Sequence, residues 1–348
     1  MKRLTALILA LVICCGCGAK PAPAASSEPA ESSSAVSSAQ PVASSEPAAP
    51  AEPAKNDVPV KVAALKGPTA MGLVKLMEDD KAVGNYDFVI EGAIDAVTPK
   101  LLKGEVDIAA VPANVASVLY NNTKGQVKVI AVNTLGVLYI AECGDTVHSI
   151  EDLKGKTIYS AGKGATPQYA LDFALSSHGI DPEKDVTIEY RSEHAECIAM
   201  LAQNPDAVAM LPQPFLTTAM LKNDKIRMAI DLNDAWSEKS GETLLTGVAV
   251  VRSEFLEKTP EKVAEFLKLY KQSAEYVNAN TDSAAALIGG FDIFPEAVAK
   301  RALPYCAVTC ITGDEMKDKL SSYLNVLFEQ NPKSIGGTLP DEEFYHLG

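Results

Sequence analysis

Short apolar runs alternate with longer amphipathic stretches across residues 58–348. Four of these runs are each followed by a loop with Pro, Gly or Thr and then by a helical pattern; they cover 60–65, 106–111, 156–161 and 207–211. Strands that alternate with helices indicate parallel sheets covered by helices on both faces. Two of the four units precede residue 145 and two follow it, which predicts two α/β lobes with a cleft between them.

The last third of the chain has the spacing of apolar residues that is typical of packed helices. One helix is predicted to start at Thr259-Pro260, and 312–315 has the pattern of a capping box ahead of a second helix. The strand pattern of 246–251 predicts the return of the chain to the first lobe. We therefore assign 58–145 and 246–348 to lobe 1 and 146–245 to lobe 2, with crossings near 142–148 and 236–246.

The first residues of the chain have the pattern of a secretory signal. A basic start is followed by an apolar run of ten residues, Leu4 to Ile13, and then by Cys14-Cys15-Gly16-Cys17. Because a helix needs about 20 apolar residues to span a bilayer, we interpret 1–16 as a signal peptide. Gly16-Cys17 resembles a bacterial lipobox, which implies a lipid on Cys17. Lipidation of Cys15 and an ordinary cleaved signal remain alternatives.

Residues 17–57 differ in composition from the rest of the chain. Of the 40 residues from 18 to 57, 28 are Ala, Ser or Pro, so the segment has too little apolar surface to offset the entropy of ordering. As a flexible coil it spans roughly 35 Å. We therefore expect a lipid-anchored, disordered tether that holds the folded part at the outer face of the bacterial cytoplasmic membrane.

Charge and cysteine content narrow the classes of partner. The net charge is −14 and no Lys/Arg cluster is present, which argues against nucleic acid. The folded part has few cysteines for its length, so it does not depend on disulfides, although a bridge between Cys306 and Cys310 stays open. The pattern Glu193-His194-x-x-Cys197 has no second cluster and indicates a surface helix. We expect a monomer with no metal and no cofactor.

The loops that follow the four strands are the predicted binding site. Ligands of parallel sheets bind beyond the carboxyl ends of the strands, where helix N-termini offer free N–H groups. The predicted ligand-binding residues in these loops are Gly67, Pro68, Thr69, Pro112, Ala113, Asn114, Gly164, Ala165, Thr166, Gln213 and Pro214.

The chemistry of these loops indicates the kind of ligand. They contain no Asp, Glu or His, which argues against a cation, and no Arg, which argues against a strongly bound sulfonate. Lys66 and Lys163 are candidate charges at the edge of the site. We expect a neutral or weakly anionic small organic solute, with Tyr159, Tyr169 or Phe215 as candidate stacking partners.

Five segments resemble the solute-binding lipoproteins of ABC importers, in the NMT1/THI5-like branch that spans sulfonates, nitrate and thiamine precursors. They are 62–72, 107–114, 162–166, 209–214 and 325–332. The resemblance implies a type II periplasmic-binding-protein fold, in which two lobes close on a ligand. It also implies a receptor that delivers a small solute to the permease of an importer.

Two other functions stay open. The THI5-like enzymes of the same fold make a pyrimidine with the support of a Cys-rich iron-binding motif, but the Cys-rich run here is 14–17, within the signal segment. The four loops also lack a Ser/His/Asp or paired-carboxylate arrangement, so we expect no enzyme. An extracellular sensor that reports its ligand without import fits the same sequence.

Overall fold

A computed structural model describes residues 58–204 and 206–348; the predicted signal segment, the predicted tether and Cys17 lie outside the described residues. Eleven strands are present in these ranges: β1 (Val60–Leu65), β2 (Tyr86–Glu91), β3 (Ile108–Pro112), β4 (Val127–Leu135), β5 (Leu138–Cys143), β6 (Thr157–Ala161), β7 (Thr187–Arg191), β8 (Val208–Pro212), β9 (Ile226–Asp231), β10 (Leu245–Arg252) and β11 (Val308–Ile311).

The helices of the same ranges are α1 (Pro68–Met71), α2 (Val74–Asp80), α3 (Ile94–Leu102), α4 (Ala113–Thr123), α5 (Thr166–Ser177), α6 (His194–Gln203), α7 (Phe215–Lys222), α8 (Leu232–Ser240), α9 (Ser253–Lys258), α10 (Pro260–Ala279), α11 (Thr281–Gly290), α12 (Glu296–Ala302) and α13 (Gly313–Gln330). Short 3₁₀ turns cover Ile150–Leu153, Leu303–Tyr305, Pro332–Ile335 and Glu342–Phe344.

The strands form two sheets, one in each of two α/β lobes. The first lobe has a six-stranded sheet in the order β11-β4-β10-β3-β1-β2, and the second has a five-stranded sheet in the order β7-β6-β8-β5-β9. β1 is parallel to β2 and β3, and β6 is parallel to β7 and β8. β10 and β5 run antiparallel to their neighbours. The two-lobe prediction is confirmed, but the sheets are mixed and not purely parallel.

The chain first crosses between the lobes at residues 136–137, earlier than the sequence predicted. β4 belongs to the six-stranded sheet and β5 to the five-stranded sheet, so β5 lies in the second lobe although 138–145 had been assigned to the first. Both strands are apolar and largely buried, so their pattern does not indicate which sheet each one joins. The second crossing lies between α8 and β10, within the predicted range 236–246.

Three apolar clusters form the core. One fills the first lobe around Phe266 and Tyr270, and one lies in the second lobe around Leu211. The third continues from one lobe to the other, because it includes Trp236 of α8 together with Tyr323 of α13. The two lobes therefore share apolar packing in addition to their two chain crossings.

The predicted local patterns correspond to most of the observed elements. All four predicted strand–loop–helix units are present, as β1–α1, β3–α4, β6–α5 and β8–α7. α5 has Pro167 in its first turn, and Gly179 beyond its end has a φ of 76°, the left-handed conformation expected of a helix stop. The capping-box prediction is wrong, because Thr312 makes no side-chain cap hydrogen bond within the described residues.

The cysteines of the described ranges are all free, so Cys306 and Cys310 are not bridged. Burial raises the pKa of the Cys197 thiol to about 12. Between residues 58 and 348, Pro205 aside, no helix has the length and apolar character needed to cross a membrane. The same residues include no group of three or more His, Cys, Asp or Glu arranged to hold a metal ion.

Candidate functional site

A cavity of about 280 Å³ lies between the two lobes, at the carboxyl ends of their parallel strands. The first lobe lines it with Leu65, Lys66, Gly67, Pro68, Thr69, Gly92, Ala93, Ile94, Asp95, Pro112, Thr134 and Thr246. The segment after the first crossing and the second lobe line it with Val137, Leu138, Ala161, Gly162, Lys163, Ala165, Pro167, Arg191, Ser192, Glu193, His194 and Pro212.

Helix N-termini from both lobes point at this cavity. Six strand–helix junctions meet there, because β2–α3 and β7–α6 join the four predicted units. The N-cap residues of α3, α5 and α6 are Ala93, Ala165 and Glu193, and within the described residues none makes a side-chain cap hydrogen bond. The first N–H groups of these helices lack intrahelical partners. They therefore offer donors, and the positive ends of helix dipoles, to a ligand in the cavity.

The charged side chains of the wall are mainly basic. Lys66, Lys163 and Arg191 line the cavity together with two acidic residues, Asp95 and Glu193. Arg191 is also ion-paired with Glu189, so the wall offers cationic groups without a large local net charge, on a chain whose net charge is −14. These cationic groups can pair with an anion in the cleft.

Arg191 is the main residue that the sequence analysis missed. It is the last residue of β7, an edge strand whose residues are exposed or half-buried. The segment lacks the continuous apolar run that marked the other strands, so its junction with α6 was not recognised. One signal in the sequence indicates Arg191: it is a basic residue at the end of a short segment, TIEYR, that begins with two β-branched residues typical of strands.

Five of the eleven predicted binding residues line the cavity: Gly67, Pro68, Thr69, Pro112 and Ala165. The Thr69 hydroxyl donates to the Leu65 carbonyl at 2.8 Å. Its oxygen therefore remains free to accept a hydrogen bond from a ligand. Ala113, in contrast, is a core residue with no exposed surface.

Asn114 and Thr166 join the two lobes and do not line the cavity. Both are fully buried. Asn114 Nδ2 donates to the carbonyl of Gly164 in the second lobe at 3.1 Å and to that of Ser334 in the first lobe at 2.9 Å. The Thr166 hydroxyl donates to Asn114 Oδ1 at 3.3 Å and lies 3.1 Å from the Tyr323 hydroxyl. We call this set of hydrogen bonds the interlobe network.

The remaining predicted residues also lie away from the cavity wall. Gln213 Oε1 accepts from the backbone N–H of Thr217 at 3.2 Å and from its hydroxyl at 2.8 Å, and Gln213 lines a separate groove. Pro214 lines neither space. The candidate stacking residues Tyr159, Tyr169 and Phe215 are likewise absent from the wall of the cavity.

An aromatic contact joins the lobes next to His194, a residue of the cavity wall. The Phe215 ring of the second lobe packs edge-on against Phe294 of the first lobe, with centroids 5.1 Å apart, and it also contacts the His194 ring at 5.1 Å, with the two rings tilted by 43°. Burial lowers the pKa of His194 from its usual value near 6.5 to about 4. The imidazole is therefore neutral at physiological pH.

The comparisons with known proteins agree with this architecture. Residues 126–284 match a family model described as NMT1/THI5 like, which confirms the predicted resemblance over that range. A segment of 127 residues is 24% identical to the binding protein YtlA of Bacillus subtilis (strain 168) and covers 36% of each chain. This chain thus spans about a third of that curated relative.

Solved structures extend the likeness to most of the chain. An ABC transporter protein of Parabacteroides distasonis has a TM-score of 0.69 and 22% identity, covering 83% of this chain and 99% of that one. The periplasmic aliphatic sulphonate-binding protein SsuA of Escherichia coli has a TM-score of 0.65 and 16% identity, covering 80% of this chain and 90% of that one. The periplasmic nitrate-binding protein NrtA of Synechocystis PCC 6803 has a TM-score of 0.58 and 11% identity, covering 71% of this chain and 70% of that one. The predicted periplasmic-binding-protein fold is confirmed.

Proposed function

We propose that this chain is an extracytoplasmic solute-binding receptor that captures a small organic anion and delivers it to the permease of an ABC importer. The observation that supports this function is the cavity between two α/β lobes, walled by uncapped helix N-termini and by Lys66, Lys163 and Arg191. Both kinds of group favour a negatively charged ligand. The structural neighbours include sulfonate- and nitrate-binding proteins, which agrees with such a ligand.

An anionic ligand revises the expectation of a neutral or weakly anionic solute. That expectation depended on the lack of Arg in four loops, whereas Arg191 reaches the cavity from a further junction. The cavity size fits a small molecule and not a dinucleotide or a peptide. Asp95 and Glu193 also line the wall, so a ligand with N–H or other donor groups besides its anionic group fits as well.

Capture proceeds by closure of the two lobes. Two chain crossings leave few covalent constraints on a hinge motion. A ligand held by both walls favours the closed form through its contacts to the second lobe. A lipid on Cys17 and the tether of residues 18–57 keep the receptor near its permease, with Cys15 as the alternative lipidation site.

A thermal-shift screen tests the receptor function. The full-length chain is screened against small sulfonates, carboxylates, nitrate and pyrimidines at constant ionic strength. We expect at least one small anion to raise the melting temperature, with an increase that grows with the logarithm of its concentration above the Kd. Small-angle scattering should then show compaction on saturation. A screen without any stabilising solute, or a bound solute without compaction, contradicts the proposal.

Two further measurements address anchoring and transport. Mass spectrometry of the mature N-terminus should find a lipidated Cys17; an unmodified start beyond Cys17 contradicts the anchor. Deletion of the gene should abolish uptake of the identified solute. Normal uptake combined with a lost response to the solute supports the sensor function instead.

A further inference from the structure

The turn between β7 and α6 contains an unusual group of unpaired polar atoms. Among the described residues, the buried Tyr190 hydroxyl, Arg191 Nε and His194 Nδ1 have no hydrogen-bond partner. Buried polar side-chain atoms in proteins are nearly always bonded, so three exceptions within five residues call for an explanation. Two of the three residues, Arg191 and His194, line the cavity between the lobes.

Arg191 lines the cavity and is also held by two contacts within the second lobe. Its Nη2 donates to Glu189 Oε2 at 2.6 Å, and its guanidinium lies 5.5 Å from the centroid of the Tyr159 ring. These contacts fix the plane of the guanidinium and leave Nε–H as an unpaired, charged donor. Such a donor is best matched by an oxygen that carries negative charge.

His194 and the start of α6 lie next to this donor. The ring of His194, the first residue of α6, packs against Phe215 at a tilt of 43°. Burial keeps the imidazole neutral because it lowers the pKa of His194 to about 4. A neutral imidazole has one donor and one acceptor nitrogen. The N-cap residue Glu193 makes no side-chain cap hydrogen bond. The first N–H groups of this ten-residue helix therefore remain available beside Arg191.

We propose that the turn from Arg191 to His194 is the subsite that binds the oxyanion group of the captured solute. Arg191 Nε and the N-terminus of α6 donate to the oxyanion, and the neutral ring of His194 completes the hydrogen bonding. The inference depends on the proposed receptor function, because it names the part of the cleft that recognises the ligand. It also gives a reason for closure to require a ligand, since an empty closed cleft leaves these polar atoms unpaired.

Matched pairs of charged and neutral small molecules test the subsite. Binding of ethanesulfonate is compared with ethanesulfonamide, and propionate with propionamide, by titration calorimetry of the full-length chain at constant ionic strength. We expect the wild-type protein to prefer one charged member by about tenfold or more, the effect of a charge-assisted hydrogen bond. The pair with the larger preference distinguishes a sulfonate from a carboxylate.

The Arg191→Gln variant should lose most of this preference while it retains the affinity for the neutral members. Arg301→Gln is the matched control, because Arg301 is exposed and lines a separate groove; it should keep the wild-type preference. Circular dichroism checks folding. If Arg191→Gln does not fold, Arg191→Lys takes its place, since it keeps the charge and lacks Nε–H, and it should reduce the preference as well.

Several results would overturn the subsite. They are a wild-type protein without preference for either charged member, an unchanged preference in the Arg191 variant, or an equal loss in the Arg301 variant. These outcomes differ from failure of the receptor function. If the thermal-shift screen finds only uncharged solutes, the proposed oxyanion subsite is wrong but the proposed receptor function still holds. If the screen finds no ligand at all, the proposed receptor function is contradicted.

Discussion

Replacement of Asn114 by Ala should weaken ligand binding although this side chain does not line the cavity. Asn114 takes part in three hydrogen bonds, of which two join the lobes: the bond from its Nδ2 to the Gly164 carbonyl and the bond that its Oδ1 accepts from Thr166. The third, to the Ser334 carbonyl, lies within the first lobe. Loss of the first two disfavours the closed form, and loss of the third disfavours the folded first lobe.

The size of the effect follows from the number of interlobe bonds. A buried hydrogen bond contributes about 1 kcal/mol net, so two of them favour closure by about 2 kcal/mol. Because about 1.4 kcal/mol corresponds to a factor of ten, the closed population falls roughly 30-fold. The apparent affinity of a ligand that requires the closed form falls by the same factor. Thr166→Ala also removes two interlobe bonds, those with Asn114 and with the Tyr323 hydroxyl, and should have about the same effect in free energy.

Asn121→Ala is the matched control for this experiment. Asn121 lies on the same helix, and its Nδ2 donates to the carbonyls of Ile335 at 2.8 Å and Thr338 at 2.7 Å, both within the first lobe. We expect this variant to lower the melting temperature and to leave ligand affinity unchanged. Calorimetric titration of an identified ligand measures affinity, and scattering of the unliganded protein measures the degree of closure.

Two results would refute the reasoning. If Asn114→Ala binds the ligand as tightly as the wild-type protein, the interlobe network does not contribute to closure. If Asn121→Ala weakens binding as much as Asn114→Ala, the effect comes from general destabilisation of the first lobe.

Three more predictions concern other parts of the cleft. In an open cleft His194 should be protonated below about pH 6.5, whereas burial in the closed form lowers its pKa to about 4. Ligand affinity should therefore fall as the pH is lowered from 6.5 to 4. His194→Gln should show a weaker dependence of affinity on pH, and identical pH profiles of the two proteins would contradict this. Trp236 is the lone tryptophan and lies 5.5 Å from Tyr323 of the first lobe, so ligand should shift its emission to shorter wavelength; an unchanged spectrum at saturation counts against closure at this contact. Gly136→Ala should lower the free energy of unfolding by about 1–3 kcal/mol through overpacking, because the added Cβ would lie 2.1 Å from an oxygen of the neighbouring Asn233. The control in a thermal melt is Gly290→Ala, whose added carbon would have nothing within 4 Å apart from its own helix backbone and chain neighbours. This variant should not destabilise the protein.

The fold was predictable because its units are local in sequence. A buried strand such as β3 or β8 is a continuous apolar run, and the loop after it contains residues that favour turns and helix starts. The sheet to which β5 belongs was not predictable, since pairing partners are distant along the chain. The capping box at Thr312 failed for a related reason. The sequence allowed the motif, but the hydrogen bond depends on side-chain orientation.

The candidate site was predictable in position but not in detail. Residues at the end of each of the four strands line the cavity, because the carboxyl ends of parallel strands meet at one edge; that these loops bind the ligand stays a prediction. Which side chains face the cavity depends on the contact between the lobes: Asn114 and Thr166 turn toward each other and away from it. Arg191 was missed because it follows a half-exposed edge strand without a strong apolar signal.

The position of β10 in the first sheet has a consequence for the order in which the protein is made. β10 lies at the centre of that sheet, between β3 and β4, yet the whole segment 138–244 with all five strands of the second sheet is synthesised before it. All five strands of the second sheet are therefore available for pairing on the nascent chain while β3 and β4 still lack β10 between them. Such edges are sites of aberrant association, and pairing between distant segments is slow. A nascent chain that stops short of β10 thus carries every strand of the second sheet but only β1 to β4 of the first, and the open edges of β3 and β4 make it prone to aggregate.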